Sequence, residues 1–196
     1  MTKGRLEAFS DGVMAVIITI MVLEIKAPHD DATFAALRGI AGHLVAYVVS
    51  FVYVGIYWNN HHHLMHASKQ IDGRVMWANL HLLFWLSLIP ATTAWAGGHP
   101  TASLPAAIYG VVLFFSGLSW LILQRTLIRV NGDASELAVA VGRDLKGKAS
   151  ALLYASGIGL SFVRPWIGQV IFAGVALLWI VPDRRIEAKL AERETS

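Results

Sequence analysis

Long apolar stretches separated by short polar breaks dominate the chain. Six of them approach the length of about 20 residues that a helix needs to cross a bilayer. They fall at about 7–25, 37–58, 75–96, 104–123, 149–162 and 166–181. The fifth is short and rich in Ala, Gly and Ser, which suits close approach of helices in lipid. The pattern predicts an all-α, polytopic membrane protein: one unit of six transmembrane helices spanning residues 1–196.

Helix-breaking residues agree with these limits. Gly97 and Gly98 lie between the third and fourth segments. Pro105 falls in the first turn of the fourth segment, where the missing N–H costs little. Only Pro90 falls in the interior of a segment, where a membrane helix tolerates proline as a kink.

The basic residues predict how the segments are oriented. Of the 16 Lys and Arg residues, all but Lys26, Arg38 and Arg164 fall on one side of the alternating segments. Lys and Arg concentrate on the cytoplasmic side of a membrane protein. We therefore expect both termini in the cytoplasm and an even number of spans. The residues of the larger group are Lys3, Arg5, Lys69, Arg74, Arg125, Arg129, Arg143, Lys146, Lys148, Arg184, Arg185, Lys189 and Arg193.

Composition excludes several classes of protein. Hydrophobic residues make up 56% of the 196 and charged residues 15%, against about 25% charged in a soluble domain. A soluble domain of this size has too little interior for so many apolar side chains. The absence of cysteine excludes disulfides and thiolate metal sites. The net charge of +3 does not indicate a nucleic-acid partner, because the basic residues flank the apolar segments.

The first segment carries the most unusual polar residue, Asp11. An ionisable side chain inside a span is costly and indicates function or pairing, and Arg5 is a candidate partner. At about 100° per residue, Val16, Ile20 and Leu23 form one stripe and Asp11 lies about 140° from Val16. Asp11 and the stripe therefore cannot face the same space. The pattern alone does not decide which of them lines a pathway.

Two motifs carry a resemblance to a known family. The segment Arg5-x-x-x-Phe9-Ser10-Asp11, with the apolar run at 15–25 and Trp58-x-x-His61 later, resembles the signature of the transmembrane protein 175 family. These proteins are potassium channels of animal endolysosomes and their bacterial relatives. The bacterial branch, with one six-helix repeat per chain, resembles this sequence along nearly its whole length.

The resemblance implies a homotetramer in the bacterial inner membrane, with the first helix of each subunit around a central pore. Val16, Ile20 and Leu23 match aliphatic rings that form the constriction, and Thr19 lies beside the first ring. The implied function is conduction of potassium in preference to sodium, with potassium ions, the bilayer and other copies of the chain as partners. It implies neither a cofactor nor an enzyme activity.

Other polar residues receive roles from the same resemblance. It implies a polar network of Arg5, Asp11 and His61 that holds the pore helix, with Asn79 and His81 as further candidates. Thr19 either offers its hydroxyl to the ion or bonds to its own helix. Similarly, Glu24 either concentrates cations at the pore mouth or is a solvated charge at the helix end.

Two other classes of function stay open. A proton-coupled transporter of small solutes would use Asp11 and the histidines in a water-filled path. An intramembrane metalloenzyme would use His62 and His66, which share a helix face, but it needs a third ligand. Most of the tryptophans lie near segment ends, which favours anchoring at the membrane interface for them, Trp120 and Trp179 included.

Overall fold

The computed structural model describes residues 2–26, 33–132, 135, 137–138 and 145–180. This part of the chain contains α-helices and no strand, as the sequence predicts. The predicted basic residues Arg143, Arg184, Arg185, Lys189 and Arg193 lie outside the described residues. The helices are α1 (Lys3–Leu23), α2 (Phe34–Gly39), α3 (Ala41–His66), α4 (Gly73–Ser87), α5 (Ile89–Gly98), α6 (Ser103–Asn131), α7 (Leu145–Ser161) and α8 (Pro165–Ile180).

Four helical segments are long and apolar enough to cross a membrane. They are α1, α3, the α4–α5 pair and α6, while α8 is apolar but shorter. The α4–α5 pair breaks at Leu88, two residues before Pro90. Proline has no N–H to donate to the carbonyl four residues earlier, so it interrupts the helical hydrogen-bond ladder. The helix is thus interrupted next to the proline at which the sequence predicts a kink.

Polar side chains fix the direction of the helices at one end of the bundle. Lys3 Nζ donates to the carbonyl of Ser68, just after α3, at 3.0 Å. The side chain of Asn131, at the end of α6, accepts from the N–H groups of Lys69 and Gln70 at 2.8 and 2.9 Å. The start of α1 and the ends of α3 and α6 therefore meet at the same end of the bundle.

At the opposite end, Gln169 Nε2 in α8 donates to the carbonyl of Pro100, between α5 and α6, at 3.0 Å. Near the end of α8, the indole N–H of Trp179 donates to Ser150 Oγ, near the start of α7, at 2.8 Å. The α7–α8 pair is thus an antiparallel hairpin that packs against α6.

Buried hydroxyl groups tie the middle of the bundle together. Ser50 Oγ in α3 lies 2.7 Å from Thr93 Oγ1 in α5 and 2.9 Å from Tyr109 Oη in α6. All three side chains are buried. Hydrogen bonds between helices satisfy polar groups that neither lipid nor an apolar core can satisfy.

Small residues allow the closest helix contacts. A Cβ atom built at Gly97 in α5 would lie 2.8 Å from His43 Cα in α3. Within the α7–α8 hairpin, a Cβ atom at Gly157 would lie 2.5 Å from Phe172 Cε1. The contact at Gly157 confirms the prediction that small residues of the fifth segment permit close approach.

The Gly97 contact yields a stability prediction. Gly97→Ala forces α3 and α5 apart, because the added methyl group meets backbone. We expect the free energy of unfolding to fall by about 1–3 kcal/mol, the usual cost of overpacking. Thermal unfolding of the purified protein in detergent measures the change.

Gly98→Ala is the matched control, since its Cβ atom would meet only the His43 imidazole, at 3.2 Å. A side-chain ring can move aside where backbone cannot. Equal losses of stability for the alanine variants of Gly97 and Gly98 would contradict the close-contact argument.

Two helices extend beyond their predicted ends. The second predicted segment stops at residue 58, whereas α3 continues to His66 because His61, Leu64 and Met65 face the core. The fourth stops at 123, whereas α6 continues to Asn131 with Leu127 buried. Both extensions contain too many polar residues to be predicted from mean hydropathy, yet each buries one face.

Candidate ion pathway

The α1 helix presents different residues to each side. Its buried stripe consists of Leu6, Ser10, Met14, Ile17 and Met21, which pack against α3, α4 and α5. The spacing of three and four residues places these side chains on one helix face. This face holds α1 in the bundle and leaves the remaining faces of the helix exposed.

The predicted aliphatic stripe lies outside that buried face. Val16 is 54% exposed, Ile20 43% and Leu23 76%. The motif residue Phe9 is also exposed and lies on the same helix face as Val16. Exposed apolar side chains in a continuous line are typical of a surface that meets lipid or another subunit.

A groove runs beside this stripe. Val16 and Ile20 form part of its lining from α1, and Pro90 and Ala91 do so from α5. Glu24, which caps the C-terminal end of α1, lies in the same groove and is exposed. The structure therefore brings the predicted pore-mouth residue to the same side as the aliphatic stripe.

Thr19 lies on the exposed side of α1 beside the stripe. Its hydroxyl donates to the carbonyls of Ala15 and Val16, at 3.1 and 2.9 Å. The hydroxyl hydrogen is therefore used within its own helix, which was one of the two alternatives. The exposed oxygen still has lone pairs that can face a cation.

Asp11 lies on the other flank of α1, beside α3. Trp58 Nε1 donates to Asp11 Oδ1 at 3.1 Å. Arg5 is exposed and has no hydrogen-bond or ion-pair partner among the described residues, so the predicted Arg5–Asp11 pair is not formed within one chain. A hydrogen bond to an ionised carboxylate is stronger than one between neutral groups. Trp58 therefore fixes Asp11 against α3.

A buried hydrogen-bond chain joins α1, α3 and α4. His61 Nε2 lies 2.9 Å from Asn79 Oδ1, and Asn79 Nδ2 donates to Ser10 Oγ at 2.9 Å. Ser10 donates in turn to the carbonyl of Leu6 at 2.8 Å. Since Asn79 Oδ1 can only accept, His61 carries its hydrogen on Nε2. Three helices are locked in register by this chain.

The polar network thus differs in detail from the one that the resemblance implies. His61 and Ser10 are joined through Asn79, while Asp11 bonds separately to Trp58. The second candidate, His81, instead accepts from Trp85 Nε1 at 3.1 Å on the exposed side of α4. His81 therefore has no part in holding α1.

His62, His63 and His66 lie in the last turn and a half of α3. The rings of His62 and His66 stack with centroids 6.2 Å apart. Within the described residues, no group of three His, Cys, Asp or Glu side chains converges as a metal site would require. These histidines sit at the negative end of the α3 dipole, where cationic side chains are favoured.

Several of these contacts could not be predicted from local sequence patterns. Lys3 and Asn131 are single polar residues at segment ends, and their partners are backbone atoms far along the chain. Trp58 belongs to a motif that carries the family resemblance, and only the structure shows that its indole N–H donates to Asp11. Trp120 is buried rather than interfacial, because its ring packs edge-on against Tyr57.

Comparison with known proteins gives this geometry a context. A family model described as endosomal/lysosomal potassium channel TMEM175 matches residues 5–90. A potassium channel of Chryseobacterium sp. is 50% identical over 192 residues, which is 98% of this chain and 100% of that one. A potassium channel of Streptomyces collinus is 31% identical over 171 residues, covering 82% of this chain and 83% of its own.

A solved structure agrees with the fold. The crystal structure of a lysosomal potassium-selective channel TMEM175 homolog from Chamaesiphon minutus superposes with a TM-score of 0.78 at 26% sequence identity. The match covers 91% of this chain and 96% of that one. With half its residues identical to a named channel over nearly its full length, this helical membrane protein belongs to the transmembrane protein 175 family of potassium channels.

Proposed function

We propose that the protein is a potassium-permeable cation channel that favours potassium over sodium. The observation that carries this proposal is the exposed stripe of Val16, Ile20 and Leu23 on a helix whose other flank is tied to its own subunit. Relatives of similar length are named potassium channels. The mechanism rests on that stripe forming a hydrophobic constriction.

A constriction of this kind needs several copies of the chain. The stripe lies on the outside of one subunit, so a single chain encloses no path with it. The groove between Ile20 and Pro90 offers a surface on which a neighbouring subunit can pack. By the family resemblance the assembly is a homotetramer, with four α1 helices around one axis.

Selection by an aliphatic ring follows from the cost of removing water. An ion that passes such a ring loses part of its hydration shell, and aliphatic side chains return no ligands. Potassium holds its water less tightly than sodium and therefore has the lower barrier. A difference of about 1.4 kcal/mol suffices for tenfold selectivity. The exposed oxygen of Thr19 supplies partial coordination next to the Val16 ring.

Glu24 supports the proposed direction of charge selection. Its carboxylate stands at the C-terminal end of α1, where the helix dipole already places negative charge. An acidic residue is unfavourable for helix stability there. Four such carboxylates around a pore mouth would raise the local concentration of cations.

The proposed orientation places both termini in the cytoplasm of the bacterium and the protein in its inner membrane. Lys3, Lys69 and Arg129 lie near one end of the bundle, where α1 begins and α3 and α6 end. Arg38 and Arg164 precede α3 and α8 at the other end. With α7 and α8 counted as short spans, the chain crosses the membrane six times.

A proton-coupled carrier is the alternative, and the position of Asp11 argues against it. The carrier needs Asp11 in a water path, but the carboxylate accepts from Trp58 on the flank away from the stripe. A metalloenzyme would need a third ligand beside His62 and His66, and the described residues bring none there.

The test is a current measurement on purified protein in planar bilayers. Potassium chloride is placed on one side and sodium chloride on the other. We expect a reversal potential whose sign shows that potassium is more permeable than sodium. The potential should stay unchanged when a pH gradient is imposed. A current that follows the pH gradient would favour the carrier, and a reversal potential of zero would refute selectivity.

A further inference from the structure

A second cavity lies away from the α1 stripe, between α3, α6, α7 and α8. Its enclosed volume is about 60 Å³, and the space that includes the open mouth is about 620 Å³. Leu118 of α6 belongs to its lining and is 40% exposed, so the cavity opens on the outer surface of the bundle. No acidic side chain, lysine, arginine or histidine of the described residues lines it. The described lining therefore favours an uncharged ligand.

Six of the fourteen lining residues are aromatic. They include Tyr53 and Tyr57 from α3, Trp120 from α6 and Tyr154 from α7. The rings of Tyr57 and Trp120 meet edge to face, with centroids 6.2 Å apart. Aromatic rings favour stacked or edge-on contacts with another ring. The shape and chemistry of these walls suit a flat, ring-bearing molecule.

One hydroxyl group in this wall lacks a partner. Tyr57 is 8% exposed, yet its hydroxyl has no hydrogen-bond partner in the described part of the chain. The Tyr57 oxygen lies 3.9 Å from a Cβ atom built at Gly117, another lining residue. The missing side chain at Gly117 therefore leaves space beside the hydroxyl. The hydroxyl thus opens into an apolar cavity, where a polar group without a partner is costly and a ligand or water relieves that cost.

Two other groups of the lining define what the ligand must offer. Asn60 Nδ2 donates to the carbonyl of Ile56 at 2.8 Å, which leaves Asn60 Oδ1 as a free acceptor among the described residues. The Trp120 N–H has no partner there and can only donate. The lining thus offers both a hydrogen-bond acceptor and a donor, and a hydroxyl is the smallest ligand group that can pair with either.

We propose that this cavity binds a small, neutral aromatic molecule with one hydroxyl group, which enters from the bilayer. Its ring packs against the aromatic wall, and its hydroxyl pairs with Tyr57. The site is separate from the proposed ion path. It is nevertheless connected to α1, because Trp58, next to Tyr57, holds Asp11, and His61, one turn later, belongs to the Ser10 chain.

The test uses two probes of nearly equal shape, 4-ethylphenol and 4-ethyltoluene. Protein in nanodiscs is titrated with each, and the dissociation constant is taken from the rise in Tm. At saturating 4-ethylphenol we expect a rise of about 2–4 °C. Tyr57→Phe should weaken binding of the phenol by about 2- to 12-fold, the effect of one hydrogen bond, and leave binding of the hydrocarbon unchanged.

Filling the cavity provides the second arm. Gly117→Leu should abolish the rise in Tm for both probes, and Ala151→Leu, which fills the cavity from α7, should do the same if the first variant does not fold. Gly159→Leu, on the open surface of α7, is the control that should retain binding. No rise in the wild type, or an equal rise in a folded filled variant, would overturn the proposal. The readout is independent of ion conduction.

Discussion

Replacing Ile20 with Asn is expected to remove most of the preference of the current for potassium over sodium. The amide oxygens of an Asn ring would replace part of the hydration shell of either ion, so the difference in dehydration cost shrinks. We expect at least a several-fold fall in the permeability ratio, with a larger total current. Reversal potentials in the bilayer experiment, measured for wild type and variant, give this ratio directly.

Two further variants show whether the effect belongs to the stripe. Ile20→Val keeps the ring apolar and should preserve most of the selectivity. Val22→Asn introduces the same amide on an equally exposed α1 residue, about 160° round the helix from Ile20. It should leave the permeability ratio unchanged. If Val22→Asn and Ile20→Asn had equal effects, the stripe would not be the constriction.

Asp11→Asn is expected to reduce the amount of assembled protein. The protein that does assemble should keep the selectivity of the wild type. The variant keeps an oxygen for Trp58 but loses the charge that strengthens the hydrogen bond, and it adds an N–H₂ group that needs an acceptor. We expect a loss of about 1–2 kcal/mol in stability. Size-exclusion chromatography of detergent extracts measures the yield of assembled protein.

Glu7→Gln is the matched control, because it makes the same chemical change one helical turn earlier. Glu7 is half-buried and has no ion-pair or hydrogen-bond partner in the described ranges. Trp58→Phe should resemble Asp11→Asn, since it removes the donor of the same bond. A well-assembled Asp11→Asn protein with altered selectivity would show that Asp11 faces the ions and would contradict its role as a support.

The helical architecture could be predicted because apolar runs and breakers are local properties. Pro90 predicts the interruption between α4 and α5, and the helical period places the stripe of Val16 and Ile20 on a face different from that of Asp11. The structure keeps these faces apart by burying Met14 and Ile17 between them. In this helix the period of 3.6 residues alone predicts which side chains share a face.

Partners across the bundle could not be predicted, because they depend on how helices distant in sequence approach each other. Ser10, His61 and Asn79 were all candidates, yet nothing local shows that Asn79 stands between the other two. The same limit applies to Trp120, whose burial depends on the gap between α3 and α6. A tryptophan near a segment end has the same local pattern whether lipid or protein surrounds it.

The uneven attachment of α1 has a mechanical consequence. Its hydrogen bonds to other helices, among the described residues, come from Lys3, Ser10 and Asp11, all in its first half. Beyond Asp11 only apolar contacts hold it. At 1.5 Å per residue, Leu23 stands about 18 Å past that attachment and Val16 about 7.5 Å. A tilt of about 10° would then displace Leu23 by about 3 Å and Val16 by little more than about 1 Å. If α1 tilts as a rigid rod about this attachment, the ring that we propose at Leu23 therefore changes width more than the ring that we propose at Val16.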